Sequence, residues 1–373
     1  MMQQVILAIM AVMVLACTSP VSQGRQRERA LFPVCQNEKW GYIDRSGKMV
    51  ISPLFSKAQD FSEGLAAVSL KEQFGFIDAQ GRFVIPPNFS GAWPFSQGRA
   101  MVSVDKGRED IERQGYIDPS GKMVIDPSFE WPGGDFREGL ALMGKDEKFG
   151  YLNRDGKWVI PPQFQFAKDF SEGLAPVMVE GRWGYVNYEG KMVIPPRFQE
   201  GCPFSEGLAL VQVQGKYGYI DRTGNFLIMP QFYEAYSFSE GLAPVEKDGK
   251  WCYLSPKGHF AIAPIFAFAS PFSEGLAAVE IQGKGFGFID RTGKLVIPPQ
   301  FSGEAPVGLN GRGVVLSPEG YPVSGETAGF LRFHGGLAYV KTQKGGSEPV
   351  PEDTAPFSGY IDRSGNFVWK AAQ

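Results

Sequence analysis

One glycine register governs this chain. Aligned on Gly41 of Trp40-Gly41, the same pattern returns at Gly75, Gly115, Gly150, Gly184, Gly218, Cys252 and Gly287, at spacings of 34, 40, 35, 34, 34, 34 and 35 residues. Further copies place Val314, within GRGVVLSPEG, and Gly359 at the same position, at spacings of 27 and 45. The count is ten units, the ninth degenerate, with one connection shortened and another lengthened. A unit of about 34 residues cannot bury a core alone and must stack on its neighbours. The 373 residues therefore read as one continuous array.

The copy from Leu65 to Gly98 shows what each unit does. LAAVSL, FGFID and RFVIP are three short runs rich in β-branched and aromatic residues, and they predict an antiparallel three-stranded meander. Between the second and third runs, Asp78-Ala79-Gln80-Gly81 predicts a type I turn closing into a glycine bulge, with the Asp side chain accepting a turn amide. Pro86-Pro87 is expected to end the third strand, because proline has no amide to donate. The rest, NFSGAWPFSQG, reads as a loop to the next unit with Phe89, Ala92 and Phe95 turned inward. These anchors recur in FSKAQDFSEGLA (55–66), FQFAKDFSEGLA (164–175), FYEAYSFSEGLA (232–243) and FAFASPFSEGLA (266–277), which marks the phenylalanines as core.

With Trp40-Gly41-Tyr42-Ile43-Asp44 and Trp183-Gly184-Tyr185-Val186-Asn187 as close copies, the chain resembles the WG-repeat (KWG) proteins of bacteria. Their units read W-G-[YF]-[IV]-[DN]-x-x-G-K-x-V-I-P-P-x-[FY], then F-x-E-G-L-A. The likeness runs from Leu31 to Lys370 and departs from the pattern at Gln114, at Cys252 and in the ninth unit. The resemblance implies a β-repeat often found on exported or multidomain proteins, and it carries over no catalytic residue. The array begins and ends on whole units, so an all-β open stack or superhelix of meander units is preferred, with a closed β-propeller-like ring as the alternative.

The first residues differ in kind. Val5 to Ala16 is uninterruptedly apolar, short for a bilayer span and of the length expected of a signal peptide over 1–16. Val14-Leu15-Ala16-Cys17 resembles the lipobox of bacterial lipoproteins, which implies lipidation of Cys17 after cleavage before it. Residues 17–30 then read as a polar tether, and 31–373 as the repeat domain. This places the protein at the cell envelope, lipid-anchored and facing the periplasm or exterior. Cleavage near Ala16 with a soluble secreted product is the alternative.

Composition limits the chemistry. A net charge of −3 with no basic field excludes nucleic acid as the expected partner. The turn position reads Asp44, Asp78, Asp118, Asn153, Asn187, Asp221, Ser255, Asp290, Ser317 and Asp362. A catalytic carboxylate cannot become Asn or Ser, whereas a turn acceptor can. The E-G-L-A acids Glu63, Glu138, Glu172, Glu206, Glu240 and Glu274 give way to Gln97 and Gly335, and read as loop-surface or capping groups, or as a row binding cations weakly. His259 and His334 have no metal-ligand spacing around them, so no metal, cofactor or enzyme activity is expected.

Three features remain as candidates. Trp40, Phe74, Phe149, Trp183, Tyr217, Trp251 and Phe286, one per unit, form either a binding ladder or the packing between units. Cys202 and Cys252 are a candidate disulfide, with isolated buried thiols as the alternative. Insertions at 105–113 and 342–357 share one turn and are expected to project from the same edge of their units. Together these features suggest a binding or scaffold protein for a protein, peptide or envelope polysaccharide. Alternatives are a carbohydrate- or peptidoglycan-active enzyme with its site assembled across units, and a purely structural envelope protein.

Overall fold

The computed structural model describes residues 30–104, 113–129, 133–301, 333–341 and 358–371. The signal segment, Cys17, the tether up to residue 29, the insertions apart from Arg113, and the degenerate ninth unit lie outside the described residues. Every described element is a strand, and the strands form nine antiparallel sheets of three or four strands each.

The second sheet shows how sequence becomes structure. Ala66–Leu70 pairs with Gln73–Ile77, which pairs with Phe83–Phe89. Small residues at Ala66, Ala67 and Val68 let the first strand bury both faces, while the third strand alternates buried and exposed positions. The prolines do not end the third strand, as expected from sequence. Phe74 pairs with Phe89 and Phe76 with Ile85, so two steps on one strand face four on the other, and Pro86-Pro87 fall inside this bulge. An edge strand tolerates missing donors because one side of its ladder is unpaired. Gly75 stands opposite the bulge, where an added Cβ would lie 2.5 Å from the Ile85 carbonyl oxygen. That crowding explains the recurring glycine.

The connecting loop is also more ordered than a simple return. Gly91–Ala92 forms a two-residue strand on Ala100–Val104 of the next unit. The Glu-Gly pair that follows is a tight hairpin: both Glu63 (φ 53°) and Gly64 (φ 83°) are left-handed, and Ser62 and Leu65 exchange backbone bonds of 2.9 and 3.1 Å.

Contacts divide the chain into two compact units. The N-terminal unit runs to residue 44 and from 49 to 204, and the C-terminal unit holds 45–48 and residues from 205 onward. In the N-terminal unit, successive sheets pack through aromatic and aliphatic clusters, such as the one joining Phe76, Ile85 and Phe89 to Phe95, Val102 and Ile117.

In the C-terminal unit, one cluster joins Phe288, Ile297 and Phe301 directly to Phe333, Val340 and Ile361. A methyl on turn residue Gly365 would stand 2.9 Å from Ile297, as one on Gly293 would stand 3.1 Å from Ile262 of the sheet before it. No described sheet intervenes, so the count among the described residues is nine. The degenerate ninth unit of the sequence count lies outside the described residues. The first sheet's turn, 45–48, lies in this same unit, and Gly47 packs against the backbone of Val368 in the last sheet.

Candidate functional site

Four recurring polar groups hold the repeats, and each can be followed by its hydrogen bonds. At the hairpin turns, Asp78 Oδ1 accepts the amides of Gln80 (2.9 Å) and Arg82 (3.0 Å), Asn153 accepts those of Asp155 and Lys157, and Asn187 that of Lys191. Asp362 accepts those of Ser364 and Asn366. Asp118, Asp221 and Asp290 also accept hydroxyls from Ser120, Thr223 and Thr292 at 2.6 Å, and these bonds hold their carboxyls below the usual range. Asp44 occupies the same turn of the first sheet.

The E-G-L-A acids brace the next repeat. Glu63 accepts the amides of Gln97 and Gly98 at 2.7 and 2.8 Å, and Glu138 those of Glu172 and Gly173. Within the C-terminal unit, Glu206, Glu240 and Glu274 accept from Gly241, Gly275 and Gly336. Each carboxylate thus takes up amides left unpaired by the next left-handed turn. A serine one residue earlier repeats the connection: Ser62, Ser171 and Ser239 donate to the carbonyls of Phe95, Phe204 and Phe272 at 2.6–2.7 Å.

The fourth group frames a row of side chains. Tyrosine two residues after the ladder position donates to a carbonyl 17 residues on, or 18 for Tyr116: Tyr42 to Gln59, Tyr116 to Gly134, Tyr151 to Lys168, Tyr185 to Cys202, Tyr219 to Tyr236 and Tyr253 to Ser270. Burial pushes these phenols well up, so they stay neutral donors. Each also packs against a phenylalanine of its unit, most of them edge-on, as Tyr151 does on Phe170 at 4.7 Å. The backbone of the row is therefore fixed while its side chains differ in every sheet: Gln59, Trp93, Gly134, Lys168, Cys202, Tyr236, Ser270. Sequence reasoning missed this row because it treated the segment as a loop. A position-by-position comparison of the connecting segments carries the signal.

The row and its neighbours cover the ladder. Phe149, Trp183 and Trp251 are buried, whereas Trp40, Phe74, Tyr217 and Phe286 are half-buried. Lys168 Nζ lies 4.9 Å above the Trp183 ring, Lys57 lies over Phe74, and Tyr236 stacks on Trp251 at 5.4 Å. The ladder is thus interleaved with other side chains rather than presented as an open strip.

The N-terminal unit concentrates charge along this row. Arg137 Nε donates to Asp169 at 3.0 Å, and Lys168 pairs with Glu200 at 3.7 Å. Burial raises the Asp169 carboxyl, with Arg137 opposing, and burial lowers the Lys168 ammonium, with Glu200 opposing. Solvent still reaches 31% of the Asp169 side chain and 23% of Arg137, against 15% of Lys168 and 9% of Glu200. Trp183 Nε1, buried beneath Lys168, has no hydrogen-bond partner.

The remaining candidates disperse. Cys252 is a buried free thiol pushed up to about 12 by burial, so the Cys202–Cys252 bridge is not formed. Its Sγ lies 3.4 Å from the Val245 carbonyl across its own sheet, which keeps it inside that packing. His259 lies exposed in a turn and His334 exposed in a hairpin. Among the described residues no cluster of His, Cys, Asp and Glu is arranged to hold a metal, and no helix is long and apolar enough to cross a membrane.

Comparison with known proteins agrees with the repeat. The WG containing repeat matches residues 40–72, 74–107, 115–149, 149–183, 183–217, 217–251, 253–284 and 286–303. No curated protein matches the chain significantly. Among solved structures, a eukaryotic initiation factor is similar over 92% of this chain and 98% of its own, with a TM-score of 0.58 and 11% identity, which concerns the fold alone. The computationally designed Ika8 protein (TM-score 0.44, 11% identity, 84% of this chain and 96% of its own) and BamB from Moraxella catarrhalis (0.39, 13%, 70% and 96%) are more distant. With its motif recurring through most of its length and each copy folded as the same meander, the chain belongs to the WG-repeat family.

Proposed function

We propose that this protein is a binding or scaffold protein of the cell envelope, exported and anchored through lipid on Cys17, whose partner is a protein, peptide or envelope polysaccharide. The observation that carries the reading is the division of labour among its polar groups. The recurring Asp, Ser, Glu and Tyr side chains described above are engaged in turns or in bonds between repeats, whereas the row varies from sheet to sheet on a fixed backbone. Variation on a rigid frame is how repeat proteins build binding surfaces.

Affinity capture from envelope extracts, run beside turnover assays on cell-wall polymers, tests the function. A retained partner with no turnover is expected, and reproducible turnover abolished by one carboxylate substitution would overturn it. Metabolic labelling with an alkyne fatty acid tests the anchor: label should vanish in Cys17→Ser, and persistence of label there removes the lipid from the proposal.

A further inference from the structure

The third strands of the sixth and seventh sheets, Phe226–Phe232 and Phe260–Phe266, have lost the features that shield the same strand elsewhere. Every third strand ends its sheet with no described strand on its far side, and such an edge is ordinarily kept from other chains by lysine, proline or polar side chains. In six of the nine sheets Lys or Arg precedes the strand, as at Lys157, Lys191 and Lys294, whereas Asn225 and His259 precede these two. The fourth position of the strand is proline in four sheets, as at Pro161 and Pro195, and is Met229 and Ala263 here. Two residues later, where the fourth and fifth sheets have Gln163 and Arg197, the seventh has Ile265. Leu54 in the first sheet is as exposed as Ile265, but Ser52 precedes it and Lys48 and Lys57 flank its strand. Apart from His259, no acidic or basic side chain falls between Thr223 and Tyr233 or between Gly258 and Ser273.

We propose that these two edges form an interface for a second copy of this chain. They adjoin at Gly258, just before the seventh sheet's strand, where an added Cβ would stand 3.5 Å from the Cγ1 of Ile228, the residue between Leu227 and Met229. Leu227, Met229, Tyr233, Phe260 and Ile265 are between 48% and 67% exposed. At roughly 200 Å² for a large side chain they present on the order of 600 Å², as much as a monomer usually leaves open in one patch and close to the about 800 Å² per partner of a stable interface. Shape favours self-association. The alternate residues Leu227, Met229, Gln231 and Tyr233 are large, whereas Ala261, Ala263 and Ala267 leave only Ile265 large in the corresponding row. A two-fold axis that lays the sixth-sheet edge of one copy on the seventh-sheet edge of the other sets large on small twice, which gives a closed, isologous contact. Pro230 and Pro264 limit backbone pairing, so side-chain packing carries it. The Lys216 ammonium, 5.1 Å over the Tyr233 ring, borders the row. A bilayer suits these edges less well, because hydrocarbon cannot satisfy the peptide groups of a strand edge. The pairing is independent of the partner proposed above.

Sedimentation velocity of the purified full chain is the test, run across about 0.1–50 µM, within the range that interfaces of this size reach. A monomer–dimer equilibrium is expected, and raising salt to about 0.5 M should not weaken it, because screening removes nothing from an uncharged contact. Met229→Pro combined with Ile265→Gln installs what the fourth sheet carries at these positions, Pro161 and Gln163, so the fold accommodates both. The double variant should match the wild-type melting temperature at a concentration where both are monomers, and should weaken the dimer at least about tenfold, since both substitutions remove apolar burial. A monomer at every concentration, a dimer that dissolves in salt, or a double variant that dimerises as tightly as the wild type overturns the proposal. So does flotation with phosphatidylcholine vesicles of a monomeric wild type but not of the double variant, which assigns the edges to a membrane.

Discussion

Lys168 on Trp183 in the N-terminal unit and Tyr236 on Trp251 in the C-terminal unit occupy the same two places in the repeat. Both row residues have their carbonyls held by a buried tyrosine, Tyr151 and Tyr219. The consequences differ. Tyr236, Trp251, Phe268 and Phe286 form a run of rings 5.4 to 6.5 Å apart, which serves packing. Lys168 instead brings a desolvated ammonium, its partner Glu200 and the neighbouring Arg137–Asp169 pair. Identical frames thus carry ring packing in one unit and desolvated ion pairs in the other.

The largest effect should come from cutting the aromatic run. Trp251→Ala removes a buried ring that touches both Tyr236 and Phe268, and it should cost about 3–5 kcal/mol in urea unfolding of the full chain. The charged region should respond in the opposite sense to apolar replacement. Because desolvation opposes the Lys168–Glu200 attraction, Lys168→Met with Glu200→Met should leave stability unchanged or raise it, by up to about 2 kcal/mol. Glu200→Ala alone, which removes a carboxylate from the desolvated ammonium, should lower it. Equal losses from the Trp251 variant and the double methionine variant would erase the distinction between the two regions.

A smaller effect separates the regions by pH. The folded carboxyl of Asp169 titrates above its unfolded value, so the folded state holds that proton more tightly. Its contribution to stability is present below the ordinary carboxylate range and is lost as pH rises through the raised value. Asp169→Asn should flatten that fall as pH rises above the ordinary carboxylate range, measured as melting temperature against pH. An unchanged slope would mean that Arg137 compensates the burial in full.

Much of this was readable beforehand. Periodicity located the three strands of each meander, the Asp-to-Gly turns and the inward phenylalanines, because each is set by local chemistry that recurs. The prolines misled because a bulge opposite Gly75 absorbs them, and bulges leave no mark in a count of missing donors. Ser273 reaches to the Phe333 carbonyl, 60 residues on, where most other repeats span 33, and the degenerate ninth copy between them lies outside the described residues. The row at Gly134 and Lys168 was hidden for another reason. A row built from departures has no consensus, and the tyrosine bonds 17 or 18 residues away show that its positions correspond.

The smallest expected effect concerns the glutamate braces, and it again depends on which unit is cut. Glu240 uses one carboxylate oxygen, toward the Gly275 amide at 2.8 Å, so Glu240→Gln keeps its acceptor. Gln97 already plays that part, accepting from Gly139 at 2.8 Å. The change should cost less than about 0.5 kcal/mol, within the range of substitutions that leave a bond intact. Glu138 uses both oxygens, toward the Glu172 and Gly173 amides, and also accepts the Tyr188 hydroxyl at 2.8 Å. An amide there turns a donor against a donor, so Glu138→Gln should cost about 1–2 kcal/mol, the usual range for stranding a partly buried polar group. Urea unfolding of the two variants side by side decides it: equal losses would show that the braces act through charge alone, whereas a loss confined to Glu138 shows that they act by counting acceptors.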